Sequence, residues 1–403
     1  MISRSIAALL IGGFLLLGQT ADVERAWKLA ANGHRDEAIQ SLTKLVETGP
    51  ADPRARLLLG SLLSEAGEHD RAIAQLTEAV RLQPGSAEAQ NALGEAYSNS
   101  GDSRSARQPF ERAATLDPGF GVAQLNLGRA LLAAREFDPA AKHLDRAIAI
   151  LRHDSDAADA HYLRAKVYSA QDDARGAAKE LQIAVSIRPD FPEAWSDLGA
   201  ARKTLLDPAG AMVAFQRAVQ LAPDDAVAQY RLGLEYLNRH QAHLAIAPLQ
   251  CADRISPDDQ STLNALQRAL REDRRDDEAA SIRRRLAELL RKRDVSAQNE
   301  LAATRLNNEG ARLEHAGNLH GAVEKYRAAT ELSPESAPMR VNYAGGLLRL
   351  GQWTAGLNEL HAALVMDPSD VKVKTALRDA LKLAPAGTVP EWKADRLSTA
   401  TGK

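Results

Sequence analysis

Residues 87–120 read AEAQNALGEAYSNSGDSRSARQPFERAATLDPGF, and this stretch sets a pattern that most of the chain repeats. Small and apolar residues recur at three- and four-residue spacing on either side of Gly101, which reads as two amphipathic helices joined by a short turn. Its fixed points are Leu93, Gly94, Tyr97, Gly101, Ala106, Phe110, Ala113 and Pro118. Shifted by 34 residues, the same residue classes return.

Ala38, Ala72, Ala106 and Ala140 keep that interval; after a slip of 3 residues Ala177, Ala211, Ala245 and Ala279 continue it. A slip of 9 precedes Ala322, and Gly356 closes the series. Pro50, Pro84, Pro118, Pro189, Pro223, Pro257, Pro334 and Pro368 follow 12 residues behind. A second Ala column (Ala79, Ala113, Ala147, Ala184, Ala218, Ala252, Ala329, Ala363) holds the same phase. Three columns in one register exceed what Ala richness produces, and a period of this size marks a repeat architecture. Gly60, Gly94, Gly128, Gly199, Gly233 and Gly310 fall where the first helix must approach the second. Their expected partners are the first Ala column, a pairing of small residues that lets axes come within about 8 Å. Gly67, Gly101, Gly317 and Gly351 fall in the turn, where a positive φ is tolerated. The Pro column ends each second helix. Asp138-Pro139 and Asp207-Pro208 read as helix caps followed by first-turn prolines.

The spacing resembles the tetratricopeptide repeat family, whose Leu-Gly, Tyr, Gly, Ala, Phe, Ala and Pro positions are met over about Gln19 to Pro368. The sixth unit carries Trp195, Leu198, Gly199, Ala211, Phe215, Ala218 and Pro223. The resemblance implies an all-α, right-handed α-solenoid, or superhelix, of helix–turn–helix repeats, with the first helix of each, helix A, on the concave side. The segments follow: residues 1–20 as a signal peptide or N-terminal anchor, 21–293 as eight repeats with the eighth degenerate, and 294–302 as a connector or helix extension. Residues 303–369 hold two further repeats, 370–383 a capping helix, and 384–403 a flexible tail.

Composition narrows the function. The 403 residues are 45% hydrophobic, 4% aromatic and 26% charged, with a formal charge of -2. That balance lacks the basic excess of a nucleic-acid binder. Cys251 is the one cysteine, so neither an intrachain disulfide nor a cysteine metal site is open to the chain. Arg4 precedes an uncharged run from Ile6 to Gly18, whose length suits a secretory signal and is short for a membrane span. The expected location is therefore exported, periplasmic or secreted, with an N-terminal membrane anchor as the alternative.

No nucleophile elbow, phosphate loop or HExxH motif occurs, and no catalytic residue, cofactor or metal is expected. His153, Asp154, Asp156, Asp159 and His161 cluster in sequence, but they lack the Gly and distal Glu of a calcium loop. Arg283, Arg284, Arg285, Arg291, Lys292 and Arg293 are interleaved with acids and read as a charge-laced exposed helix. Taking positions two and three before and one after the Gly column gives the candidate concave residues: Asn91, Glu95, Asn126, Arg129, Tyr162, Lys166, Asp197, Tyr230, Arg231, Asn307, Asn308 and Asn342. The family's clamp for C-terminal carboxylates needs Lys and Asn in one repeat and Lys and Arg two repeats later, and no three successive repeats supply it. The asparagine ladder of the O-linked N-acetylglucosamine transferase repeats is echoed by Asn126, Asn308 and Asn342. The expected role is a non-enzymatic scaffold binding other proteins or peptide segments, without nucleic acid and with membrane contact only through an uncleaved anchor. The alternative is a regulatory or substrate-presenting subunit of an envelope glycan enzyme.

Overall fold

A computed structural model describes residues 21–49, 51–152, 154–390 and 392. Residues 1–20, expected to be a signal peptide or anchor, Pro50, His153 and most of the tail lie outside the described residues. Among those described there are twenty α-helices and no strand, in two compact units divided after Asp276.

The first unit holds seven antiparallel hairpins: α1 (Ala21–Ala31) with α2 (Arg35–Thr48), α3 (Pro53–Glu65) with α4 (His69–Leu82), and α5 (Ala87–Asn99) with α6 (Ser103–Leu116). Then come α7 (Gly121–Ala133) with α8 (Phe137–Leu151), α9 (Ser155–Ala170) with α10 (Ala174–Ile187), α11 (Pro192–Thr204) with α12 (Pro208–Leu221), and α13 (Ala226–Asn238) with α14 (Ala242–Ile255). Helix α15 (Gln260–Glu272) follows as an A helix. The second unit contains α16 (Asp276–His315), α17 (Leu319–Leu332), α18 (Ala337–Arg349), α19 (Trp353–Met366) and α20 (Val371–Leu383). Residues 294–302 lie inside α16, an unbroken helix of 40 residues, because nothing from Asp276 to Glu309 supplies a Gly or Pro to stop it.

Each second, or B, helix that precedes a column proline ends two residues before it, as at Leu82, Leu116, Leu221 and Leu332. The proline lacks the N–H that another turn would need. Both Ala columns are buried: Ala72, Ala140, Ala211 and Ala322 in the first, and Ala79, Ala113, Ala218 and Ala363 in the second, each have 0% exposure. A side chain longer than a methyl group at these points would force the helices apart.

The Gly column works differently from the expected Gly–Ala pairing. A Cβ on Gly60, Gly94, Gly128, Gly199, Gly233 or Gly310 would sit 2.5–2.8 Å from the side chain sixteen residues on: Leu76, Phe110, Leu144, Phe215, Leu249 or Tyr326. The Ala column is met second and through its backbone, with the carbonyl oxygens of Ala72 and Ala322 at 3.2 and 3.1 Å. The glycine thus makes room for one large side chain of helix B. Where the column carries alanine instead, at Ala26, Ala165 and Ala344, the residue sixteen on is leucine (Leu42, Leu181, Leu360), never an aromatic ring.

The turn inside each hairpin has a positive φ in every repeat, whatever residue stands there. Gly33, Gly67, Gly101, Gly317 and Gly351 share it with Arg135, Asp172, Leu206, His240 and Arg274, over a range of 57° to 88°. The five side-chain-bearing members carry strain that glycine would not. The same register corrects the expectation at Asp138. Helix α8 begins at Phe137 after Glu136, so Asp138 lies in its first turn rather than at its cap, whereas Asp207 does cap α12 by accepting from the Gly210 N–H.

Residues following α20 pack where a flexible tail was expected. Thr354 donates to the Thr388 carbonyl at 2.8 Å, and the Trp392 indole stacks on His361 with centroids 4.1 Å apart and donates to Asn358 at 2.7 Å. An indole with both a stacking partner and an acceptor satisfies its apolar face and its N–H together.

Two stability changes follow. Gly94→Ala should cost about 1–3 kcal/mol in chemical denaturation by overpacking Phe110, and adding Phe110→Leu should recover part of it; costs that simply add would show that the two positions do not share the space. Leu206, 89% exposed at φ 59°, has little packing to lose. Leu206→Gly should therefore stabilise the first unit by about 1 kcal/mol, and an unchanged or lowered midpoint would mean that the turn is not strained.

Candidate functional site: the inner wall of A helices

Successive A helices in the first unit touch one another, as α1 with α3, α3 with α5, α5 with α7 and α7 with α9. Among the described residues no B helix makes comparable contact with the next B helix. A stack whose A helices are closer together than its B helices must curve with the A helices inside. The first unit therefore has an inner wall of parallel A helices, spaced so that side chains of one reach the next.

The candidate residues meet across that wall by a simple rule, counting from the Gly column or its Ala substitutes. The residue two before the column on one helix lies against the residue three before it on the preceding helix, and at Asn126 and Asp197 against the residue one after it as well. Those two stand four apart, one helical turn, and bracket the incoming side chain. Asn126 Nδ2 donates to Asn91 Oδ1 and to Glu95 Oε1, both at 3.0 Å, while Asn91 donates to Glu95, also at 3.0 Å. Two repeats further on, Asp197 receives the Tyr162 hydroxyl at 3.3 Å and the Lys166 ammonium at 3.1 Å. Arg231 next bonds Ser196 at 2.8 Å and Asp197 at 2.9 Å. In the second unit Asn342 donates to Asn307 at 3.0 Å. Arg129 reaches Asn126 at 3.5 Å. Tyr230 and Asn308 take part in none of these bonds.

The wall changes character along its length. Around Asp197 one carboxylate is shared by two cations, Lys166 and Arg231. Burial alone would depress the Lys166 pKa, but Asp197 and Tyr162 outweigh it and leave it raised, so the ammonium stays charged. Burial, then the Asp197 charge, pushes the Tyr162 hydroxyl up. Around Asn126 the bonds come from neutral amides instead. There α3, α5 and α7 enclose a groove of about 460 Å³. Ala106 and Phe110 of α6 line it together with Ala92, Ala130 and Ala133; its polar lining includes Glu65, Glu95, Asn99 and Arg129, with serine hydroxyls. Asn99 donates to Ser64 at 3.1 Å, a further rung one turn along the same helices. Glu65 and Asn99 were missed from sequence because only one turn of each A helix was counted; adding four to Ser61 and Glu95 finds both.

The acidic cluster near residue 153 is dispersed by other partners. Asp159 is held by both terminal nitrogens of Arg188 at 3.0 and 2.7 Å, and His161 is paired with Glu180 at 2.6 Å. Among the described residues no three His, Cys, Asp or Glu side chains stand together as a metal site. In the basic stretch Arg291 pairs with Glu288 at 2.9 Å, as on an exposed helix.

Profiles described as tetratricopeptide repeat match residues 23–87 and 59–120, and a second such profile matches 98–167. Residues 23–167 are thus tetratricopeptide repeats. No curated protein sequence matches it. Similar solved structures include YrrB, described as a TPR protein with an unusual peptide-binding site, at 20% identity and TM-score 0.40 over 47% of this chain and 96% of that one. MamA is similar at 26% identity and TM-score 0.37, over 40% of this chain and 94% of its own. The pilF protein of Pseudomonas aeruginosa is similar at 15% identity and TM-score 0.49, over 57% and 97%.

The Asp197 junction makes a titration test. In Asp197→Asn the burial of Lys166 persists while the opposing carboxylate charge is gone, so the Lys166 pKa should fall from its raised position. Carbon-13 NMR of labelled lysine reads this directly. A Lys166 pKa that does not move would show that Asp197 is not its counter-ion.

Proposed function

We propose that the chain is a non-enzymatic scaffold that binds extended segments of other proteins along its inner wall. The observation that carries this is the run of side-chain rungs between successive A helices, which fixes polar groups on a rigid surface. Groups held by helices and by each other lose little freedom on binding, so a segment laid across them meets a preorganised surface. The groove at α3, α5 and α7 adds apolar surface with a polar rim, the usual make-up of a recognition site. We also propose that the scaffold acts outside the cytoplasm, as an exported or N-terminally anchored protein. The uncharged run from Ile6 to Gly18 behind Arg4 supports that placement.

A photo-crosslinking amino acid at Ser98, in the groove, should capture a partner in cells, while one at Arg112, exposed on α6, should not. Capture from Arg112 alone would move binding off the inner wall. Fractionation with N-terminal sequencing tests location: envelope or secreted protein is expected, and a chain starting at Met1 in the cytosol would refute export.

A further inference from the structure

We propose that the cationic half of α16 between Arg283 and Lys292 is a docking surface for an extended acidic segment of a partner protein. It belongs to the second unit, and it stands or falls apart from what the inner wall of the first unit binds.

In this stretch the two halves of α16 differ. At about 100° per residue, Ile282, Leu286 and Leu289 fall on one side. There Leu286 is buried and the other two are half-buried. Arg284 and Arg291 lie about 20° apart on the opposite side, with Arg283 and Lys292 about 90° to either side of them. All four are exposed. From Arg291 to Gln298 eight consecutive residues are exposed, and no other described helix has more than three in a row. A partner therefore reaches this face without displacing any part of the chain.

The cations outnumber the acids that could balance them. One turn to either side of Arg283 stand Ala279, Ala280, Leu286 and Ala287, with no acid among them. Glu288 is the one carboxylate between residues 283 and 292. Arg291 takes both of its oxygens, at 2.9 and 3.0 Å, and Lys292 stands 3.9 Å away. Arg285 and Arg293 have interactions of their own and are left out of the count. Four cations thus share one carboxylate, whereas on the inner wall Lys166 and Arg231 are both met by Asp197.

The lining fits protein better than lipid. A helix that lies in a membrane surface inserts an apolar stripe beside its cations. Here Ile282, Leu286 and Leu289 are turned inward, and the exposed Leu290 and Val295 are about 140° apart around the helix, which makes no stripe. Three of the four cations are arginines, whose forked guanidinium matches a carboxylate. Arg283 and Arg291 are separated by about 12 Å along the axis. An extended chain covers that distance in about four residues, so two pairs of acids that begin four residues apart reach both ends of the surface.

The test uses the full chain near physiological ionic strength and capped, dye-labelled peptides carrying two Glu-Glu pairs separated by Gly-Ser. A matching peptide has glutamine for each glutamate. By fluorescence anisotropy the glutamate peptide should bind about tenfold more tightly than the glutamine one, and added salt should weaken it. The variant Arg283→Gln/Arg284→Gln/Arg291→Gln/Lys292→Gln, with helicity checked by circular dichroism, should lose that preference. The variant Lys142→Gln/Arg146→Gln/Lys179→Gln/Arg217→Gln removes as many exposed cations from α8, α10 and α12 and should keep it. Equal loss in both variants would mean that the peptide senses net charge alone, and would overturn the surface. So would the absence of any preference for glutamate in the unaltered chain. A chain that sediments with phosphatidylglycerol vesicles through these four cations while ignoring the peptide would overturn it in favour of lipid. None of these results bears on capture from Ser98, which tests the inner wall.

Discussion

On helix A of the hairpins a glycine, or an alanine in its place, stands sixteen residues before a leucine or aromatic side chain of helix B, and at the glycines that side chain fills the space of the missing Cβ. At Gly94 and Gly199 the space that a Cβ would fill already belongs to the rings of Phe110 and Phe215. This exchange of a small residue for a large one brings the helices together without leaving a void. With the axes close, the Ala columns become buried and successive hairpins nest. Because each repeat then touches chiefly its neighbours, stability is distributed along the array, and a change in one pair acts locally.

The inner wall is a consequence of that nesting. A helices that approach one another put residues near the Gly column within hydrogen-bonding distance of the next repeat. A position two before the column meets the position three before it on the preceding helix, and at Asn126 and Asp197 also the position one after it. What occupies those positions decides the local chemistry. Asn and Glu give a fixed carboxylate at α5 and α7, while Tyr, Lys, Asp and Arg give a self-neutralised junction from α9 to α13. One geometry thus supplies different surfaces along a single wall, and variation at a few A-helix residues can change what is recognised without altering the packing beneath.

Much of this was legible in the sequence, and the failures have physical causes. The Ala and Pro columns announce themselves because packing and helix termination each admit few residue types. The turn column is visible only where it is glycine; at Arg135, Asp172, Leu206, His240 and Arg274 the positive φ is imposed by the hairpin against local preference. The glycine's partner was misjudged because the small Ala column also runs nearby, whereas the group filling the space is the large residue four positions beyond it. The candidate wall residues were found by counting from the glycine, yet their pairing was not. Asn342 meets Asn307 rather than Asn308, since the contact is offset by one position between neighbouring helices. The packing of Trp392 against His361 had no periodic signal, because it belongs to no repeat.

Distances between spin labels in the first unit test the curvature directly. One pair sits on A helices at Asn99 and Thr204, the other on B helices at Arg112 and Arg217; all four are exposed, and each pair spans the same three repeats. Pulsed electron paramagnetic resonance should give a shorter distance for the A-helix pair than for the B-helix pair. Equal distances, or a shorter B-helix distance, would mean that the A helices do not form an inner wall.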